Sequence, residues 1–253
     1  GGERMRYLMT REGGTPVLFL HGFGGDLNNW MFNQPAVSAG RRTIAFDLPG
    51  HGGSSKNVAD GSVASLARTV IAAMDALDVG KAHLVGHSLG GAVAMALADA
   101  EPARAASLTL ICSAGLGGEI SRAYIDGFLQ AKRRRDLQKT LELLFADTAL
   151  VTADMAEDLL KFKRLDGAED ALRKIADANF PGFVQREGLR KALAASPVPL
   201  LTIWGREDNI IPVSHSANLP GRLEVLEGAG HMPHLEKASH VNAMVTEHIE
   251  AAG

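Results

Sequence analysis

The chain has one cysteine, Cys112, which excludes an internal disulfide and a cage of thiolate ligands. A lone thiol fits a reducing compartment, so the cytoplasm is the expected location. Long apolar runs are missing too. No stretch approaches the roughly 18 residues that span a bilayer, and Gly1 to Arg11 lacks the apolar centre of a signal peptide. A membrane partner is not expected. Neither sign of charge dominates: 26 Lys and Arg stand against 29 Asp and Glu, a net of -3, so nothing suggests a basic surface for nucleic acid. The histidines are scattered, no H-E-x-x-H occurs, and His231 with His234 lacks a clear third ligand, which argues against a bound metal. Phosphate-cradling patterns are absent as well, since no G-x-x-x-x-G-K-[ST] is present and no G-x-G-x-x-G opens a helix after a strand. The chain opens on Gly1-Gly2 in place of Met, which reads as a trimmed chain or a piece cut from a longer polypeptide.

What remains is a chain of 253 residues, 46% hydrophobic, a length and composition that suit one α/β domain carrying an insertion. Short apolar runs bounded by Gly, Asp or Pro predict six buried parallel strands. They are Val17 to Leu20, Thr43 to Phe46, Ala82 to Val85, Ser107 to Cys112, Leu200 to Trp204 and Leu223 to Leu226. Helical spacing fills the gaps between them, with Leu66, Val70, Ile71, Met74 and Leu77 on one face and a small-residue helix over Ala92 to Ala100. Alternating strands and helices predict a mostly parallel, doubly wound sheet. Between Ala114 and Leu200 only helical stripes occur: Leu137, Leu141, Leu144 and Phe145, then Met155, Leu159 and Phe162, then Leu172, Ile175 and Phe180. Gly167 and Pro181-Gly182 break that segment. It reads as a helical cap over residues 116–197, laid across the carboxyl edge of a core made of 1–115 and 198–253.

Gly86-His87-Ser88-Leu89-Gly90 falls between the predicted strand ending at Val85 and the small-residue helix. This is the strand-turn-helix setting of a G-x-S-x-G nucleophile elbow, in which the serine is lifted clear of the sheet and both glycines avoid collisions. Ser88 is the expected nucleophile. A serine hydroxyl is weak at neutral pH and needs a base and a group to orient that base. In the expected chain order, Asp208 lies in Gly205-Arg206-Glu207-Asp208 and His231 in Gly228-Ala229-Gly230-His231, each just past a predicted strand. Glu207 is expected to point away from the site and His234 to face the surface or the cap, while His87 and Cys112 read as packing residues. Leu89 N–H and Phe23 N–H, the latter in His21-Gly22-Phe23-Gly24-Gly25, are the expected oxyanion donors. Asp47-Leu48-Pro49-Gly50-His51-Gly52 reads as a turn shaping the loop beside them. Lys132-Arg133-Arg134-Arg135 reads as a solvated helix face, with an anion site for a coenzyme A phosphate as its alternative.

In order, HGFGG, DLPGHG, GHSLGG, WGREDNIIP and GAGHMPH resemble the α/β-hydrolase superfamily over essentially the whole chain. That fold would place the helical cap after the sixth strand. HGFGGDLNNW, GRRTIAFDLPGHGGSSK, LFADTALVT and LLKFKRLDG are more narrowly similar to the carboxyl-terminal domain of the dihydrolipoamide acetyltransferase component of bacterial acetoin dehydrogenase complexes. This resemblance implies acyl transfer from an ester or thioester through an acyl-enzyme, a lipoyl group on an upstream domain, coenzyme A as acceptor, and other components of a dehydrogenase complex as partners. No cofactor is expected within this chain. The H-x-x-x-D-G pattern of ordinary dihydrolipoamide acyltransferases is absent, because Phe162 stands where its histidine would precede Asp166-Gly167. Other readings of the same residues are a free-standing carboxylesterase, a carbon-carbon bond hydrolase, and a non-catalytic docking domain.

Overall fold

The computed structural model describes residues 4–10, 13–186 and 188–253. Its sheet has the strand order β1-β3-β2-β4-β5-β6-β7, with β1 Tyr7–Thr10, β2 Val17–Leu20, β3 Thr43–Phe46, β4 Ala82–His87, β5 Ala105–Ile111, β6 Leu200–Gly205 and β7 Arg222–Leu226. All six expected strands are present, two with the expected ends and four with an end moved by one or two residues. However, β7, expected to be buried, is exposed or half-buried along its length because it forms an edge of the sheet. Every pairing is parallel except that of β1, which runs antiparallel to β3 with Tyr7 opposite Phe46. The strands β2 to β6 are buried at every position, as expected where helices cover both faces. By contrast β1 is a largely exposed edge strand, and its short run Tyr7-Leu8-Met9, with Arg6 before it and Thr10 after, lacks the Gly, Asp or Pro bounds that mark the others.

The helices are α1 Gln34–Val37, α2 Val63–Ala76, α3 Leu89–Ala100, α4 Arg122–Gln130, α5 Arg134–Glu142, α6 Ala153–Lys163, α7 Ala168–Asn179, α8 Leu189–Ala195, α9 Pro233–Glu236 and α10 Ala238–Ala252. Small side chains let α3 lie close on β2, β4 and β5, while α10 packs on β5 and β6. The inserted helices α4 to α8 leave the sheet after β5, the fifth strand in chain order, and not after a sixth. The difference lies in strand number alone, since the insertion still separates two adjacent parallel strands, β5 and β6. An isolated bridge between Glu119 and Val184 ties the start of the insertion to the segment that precedes α8. None of the described helices is long and apolar enough to cross a membrane.

Two of the three expected stripes of the insertion are the buried ones: Leu137, Leu141, Leu144 and Phe145, then Leu172, Ile175 and Phe180. On α6 the buried face is instead Ala156, Leu160 and Lys163, with Met155, Leu159 and Phe162 at its margin. A lysine sits there because its ammonium donates to the carbonyl oxygens of Phe128, Leu129 and Ala131, groups that the end of α4 leaves unpaired. Burial lowers the Lys163 pKa to about 8.

Candidate active site

Ser88 occupies the turn between β4 and α3 with φ 51° and ψ -118°, a conformation that costs an L-residue of order 1–3 kcal/mol. The surrounding structure enforces it. Ser88 N–H donates to Ile111 O on the neighbouring strand, and Ser88 O accepts from Gly91 and Ala114. Both flanking glycines are required by space: a Cβ on Gly86 would meet Gly90 O at 2.5 Å and Gly91 Cα at 2.6 Å, and one on Gly90 would strike the Leu20 carbonyl. The elbow therefore sits at the carboxyl end of β4 with its serine almost buried, at 6% exposure.

Asp208 follows β6 and His231 follows β7, so both reach the same edge of the sheet as Ser88. His231 Nδ1 lies 2.8 Å from Asp208 Oδ2, and both side chains are essentially buried. The amides of Ile210 and Ile211 donate to Asp208 Oδ1 at 2.8 and 3.0 Å, which fixes the carboxylate in place. Beneath this pair lies Cys112, whose Sγ is within 4.8 Å of ligand atoms of both. Burial, reinforced by Asp208, raises its thiol pKa well above the ordinary value, so at neutral pH it is a small apolar side chain.

Phe23 lies in the loop after β2, and Leu89 opens α3. Neither main-chain N–H has a hydrogen-bond acceptor among the described residues, which leaves both able to meet a developing oxyanion. A Cβ on Gly22 would come within 2.8 Å of His87 Nδ1 and 3.1 Å of Ser88 Cβ, so this loop must pass the elbow as glycine. The neighbouring turn braces it. Leu48 N–H donates to His21 Nε2, so His21 carries its proton on Nδ1 and donates to Gly22 O. In the same way Gly24 N–H donates to His51 Nε2, and His51 Nδ1 faces Pro49 O. Asp47 accepts from Leu27 and Gly53 amides and closes the lattice. From the insertion, Tyr124 Oη donates to Phe23 O at 3.1 Å, while Phe128 and Phe180 meet the Phe23 ring edge-on.

Sequence reasoning missed Tyr124 and His21 as supports, and misplaced His234. That residue is fully buried, packed between the rings of Trp30 and His87, because the chain turns inward at Pro233 to start α9. His87 packs as expected and adds a hydrogen bond from Nε2 to His231 O. Glu207 turns from His231, and its carboxylate accepts from Ala229 N–H. Lys132 pairs with Glu169 on α7, while Arg133, Arg134 and Arg135 are exposed.

Burial makes the histidine cluster sensitive to acid. It lowers the pKa of His51 and of His234 to about 3 from the ordinary 6.5, and it depresses His21 and His87 as well. Below pH 6.5 the unfolded chain binds these protons and the folded one does not, so stability present above that pH is lost as it falls towards 3. The loss should approach about 1.4 kcal/mol per histidine per pH unit. Urea midpoints at pH 7, 6 and 5 should therefore fall steeply, and His234→Phe should flatten the slope by about one proton. An unchanged slope in that variant would show that His234 takes up its proton in the folded state.

Residues 15–238 match the family described as "alpha/beta hydrolase fold". The dihydrolipoyllysine-residue acetyltransferase component of the acetoin cleaving system of Pseudomonas putida is 51% identical over 244 residues, 96% of this chain and 65% of that protein. Its counterpart in Cupriavidus necator is 42% identical over 98% of this chain and 67% of that protein. The chain thus spans about two thirds of the length of these relatives. A meta-cleavage product hydrolase from Pseudomonas fluorescens IP01, a mutant complexed with acetates, superimposes with a TM-score of 0.90 at 26% identity, covering 100% of this chain and 96% of the other. With its mostly parallel sheet, serine elbow and the match over most of its length, the chain belongs to the alpha/beta hydrolase fold family.

Proposed function

We propose that this chain is the acyl-transferring domain of an acetoin-system dihydrolipoamide acetyltransferase component, with Ser88, His231 and Asp208 as a catalytic triad. The observation that carries the reading is the 2.8 Å hydrogen bond between His231 Nδ1 and Asp208. It leaves the other ring nitrogen free to take the Ser88 proton beside a strained serine elbow. Ser88 attacks the acyl carbon of an ester or thioester, the oxyanion accepts from Phe23 and Leu89 N–H, and His231 returns its proton to the leaving group. In the second half the acceptor gives its proton to His231 and takes the acyl group. The relatives at 51% and 42% identity point to an acetyl group, and so does the close roof of Tyr124, Phe128 and Phe180 over the Phe23 loop. Residues 116–197 act as the cap that forms this roof. Arg133, Arg134 and Arg135, just beyond α4, offer cations to the phosphates of coenzyme A. A lipoyl group on another domain would deliver the acetyl group, with the other components of the complex as partners.

Carbon-carbon bond hydrolysis is the second reading, favoured by the close superposition on the meta-cleavage product hydrolase. One experiment addresses the acceptor. The protein is acylated with a simple acetyl ester, and the ratio of acetate to acetyl-coenzyme A is measured as coenzyme A is added. Water is present at about 55 M, so transfer succeeds only where a bound thiol gains a large effective molarity. Saturable diversion to acetyl-coenzyme A is the expected result. A ratio unchanged at millimolar coenzyme A would leave a hydrolase, and turnover of dienoate diketones in place of acetyl esters would favour the second reading.

A further inference from the structure

The backbone that carries His231 is held amide by amide. Ala229 N–H donates to Glu207, Gly230 N–H to Glu236 Oε2 at 2.7 Å, and His231 N–H to Leu144 O at 2.8 Å. The first partner belongs to the loop that carries Asp208, the second to α9, and the third to the inserted helical segment. Glu236 does more than hold one amide. Its other oxygen, Oε1, accepts from Ala146 N–H at 2.7 Å and from Asp147 N–H at 3.4 Å. A single carboxylate thus joins the 144–147 loop of the insertion to the residue just before His231. The two loops touch so closely that a Cβ on Gly230 would meet Ala146 N and Leu144 O, each at 2.8 Å.

We propose that Glu236 is a positioning residue: it locks the 144–147 loop of the cap onto the histidine loop, and His231 keeps its working place only while that loop is docked. The proposal rests on the triad reading above. The chemistry requires a carboxylate, because both oxygens act as acceptors. A glutamine of nearly the same shape would turn its NH2 towards one of the N–H donors, leaving that donor unpaired and pressed against another. The part of the cap at residues 144–147 is on this view a fixed wall of the active site, and any opening of the cap pivots elsewhere.

The test is Glu236→Gln, assayed with a chromogenic acetyl ester and by amide hydrogen exchange. Turnover number should fall about tenfold to a hundredfold, the scale of a lost charge-assisted hydrogen bond, while KM stays within about twofold. The amides of Gly230 and Ala146 should lose protection together, while that of Ala229, held by Glu207, keeps it. Unchanged kcat, a rise in KM alone, or a protected Ala146 amide in the variant would each overturn the proposal. If the variant does not fold, exchange in the unaltered protein decides. Gly230 and Ala146 opening with one common free energy supports the lock, and Ala146 exchanging like a free loop while Gly230 stays protected refutes it. NMR titration of the His231 ring in protein and variant needs no turnover, so failure of the triad reading is separable from failure of the lock. A displaced titration in Glu236→Gln supports positioning, and an identical one opposes it.

Discussion

Replacing Ser88 with alanine should abolish turnover of acetyl esters, by roughly a thousandfold to a millionfold, with the fold intact. On the proposed triad the size of the effect follows from three residues acting as a unit, since His231 and Asp208 have nothing to activate once the hydroxyl is gone. What rate survives would come from the oxyanion donors acting on water. Stability should hardly change. The Ser88 side chain does not cap α3, and the contacts that set its φ of 51° are made by its main chain to Ile111, Gly91 and Ala114. Alanine bears the same strain as serine there. Turnover by the variant, its thermal unfolding and its labelling by a fluorophosphonate are the three measurements. Activity within about tenfold of the unaltered protein, in a folded sample, would remove Ser88 from the mechanism.

The elements legible in the sequence are those whose chemistry is local. A strand buried on both faces leaves a continuous apolar run, and β2 to β6 all announce themselves in this way. The elbow is equally local, because each glycine is dictated by atoms at a fixed offset on the same turn or on the strand beside it. What the sequence hides is set by partners far along the chain. The pairing of β1 rests on β3, some forty residues away, and most of its side chains face solvent. The face of α6 is decided by a lysine that serves the end of another helix, an arrangement that no hydrophobic period records.

The same division runs through the site. Ser88, Asp208 and His231 sit in glycine-marked turns at strand ends, which makes them legible as candidates, whereas the groups around them reach across the fold. Tyr124 meets Phe23 from the insertion, His87 meets the carbonyl of His231, and Glu236 meets Ala146. A histidine or glutamate in a sequence does not say whether it will face water or an amide donor. His234 shows the limit: three residues from His231, it is buried against an indole with neither ring nitrogen hydrogen-bonded among the described residues.

Asp208→Asn should be the next most damaging change, lowering kcat by about ten-thousandfold with little effect on KM. The asparagine carbonyl can keep the two amides of Ile210 and Ile211, which are anchored at 2.8 and 3.0 Å on Oδ1. Its NH2 then replaces Oδ2 opposite His231 Nδ1, so that nitrogen must become an acceptor and the ring proton moves to Nε2. That is the wrong tautomer for a base, and no carboxylate remains to stabilise the imidazolium. Glu207 provides the control, being the adjacent acid in the sequence. Its carboxylate holds Ala229 N–H at 3.0 Å, so Glu207→Gln weakens one support of the histidine loop and leaves the imidazole partner in place. The expected loss there is within about tenfold, the scale of one hydrogen bond. Steady-state kinetics on the two variants, with circular dichroism to confirm folding, would settle the order. If Glu207→Gln proved the more damaging of the two, Asp208 would not be the acid that orients His231.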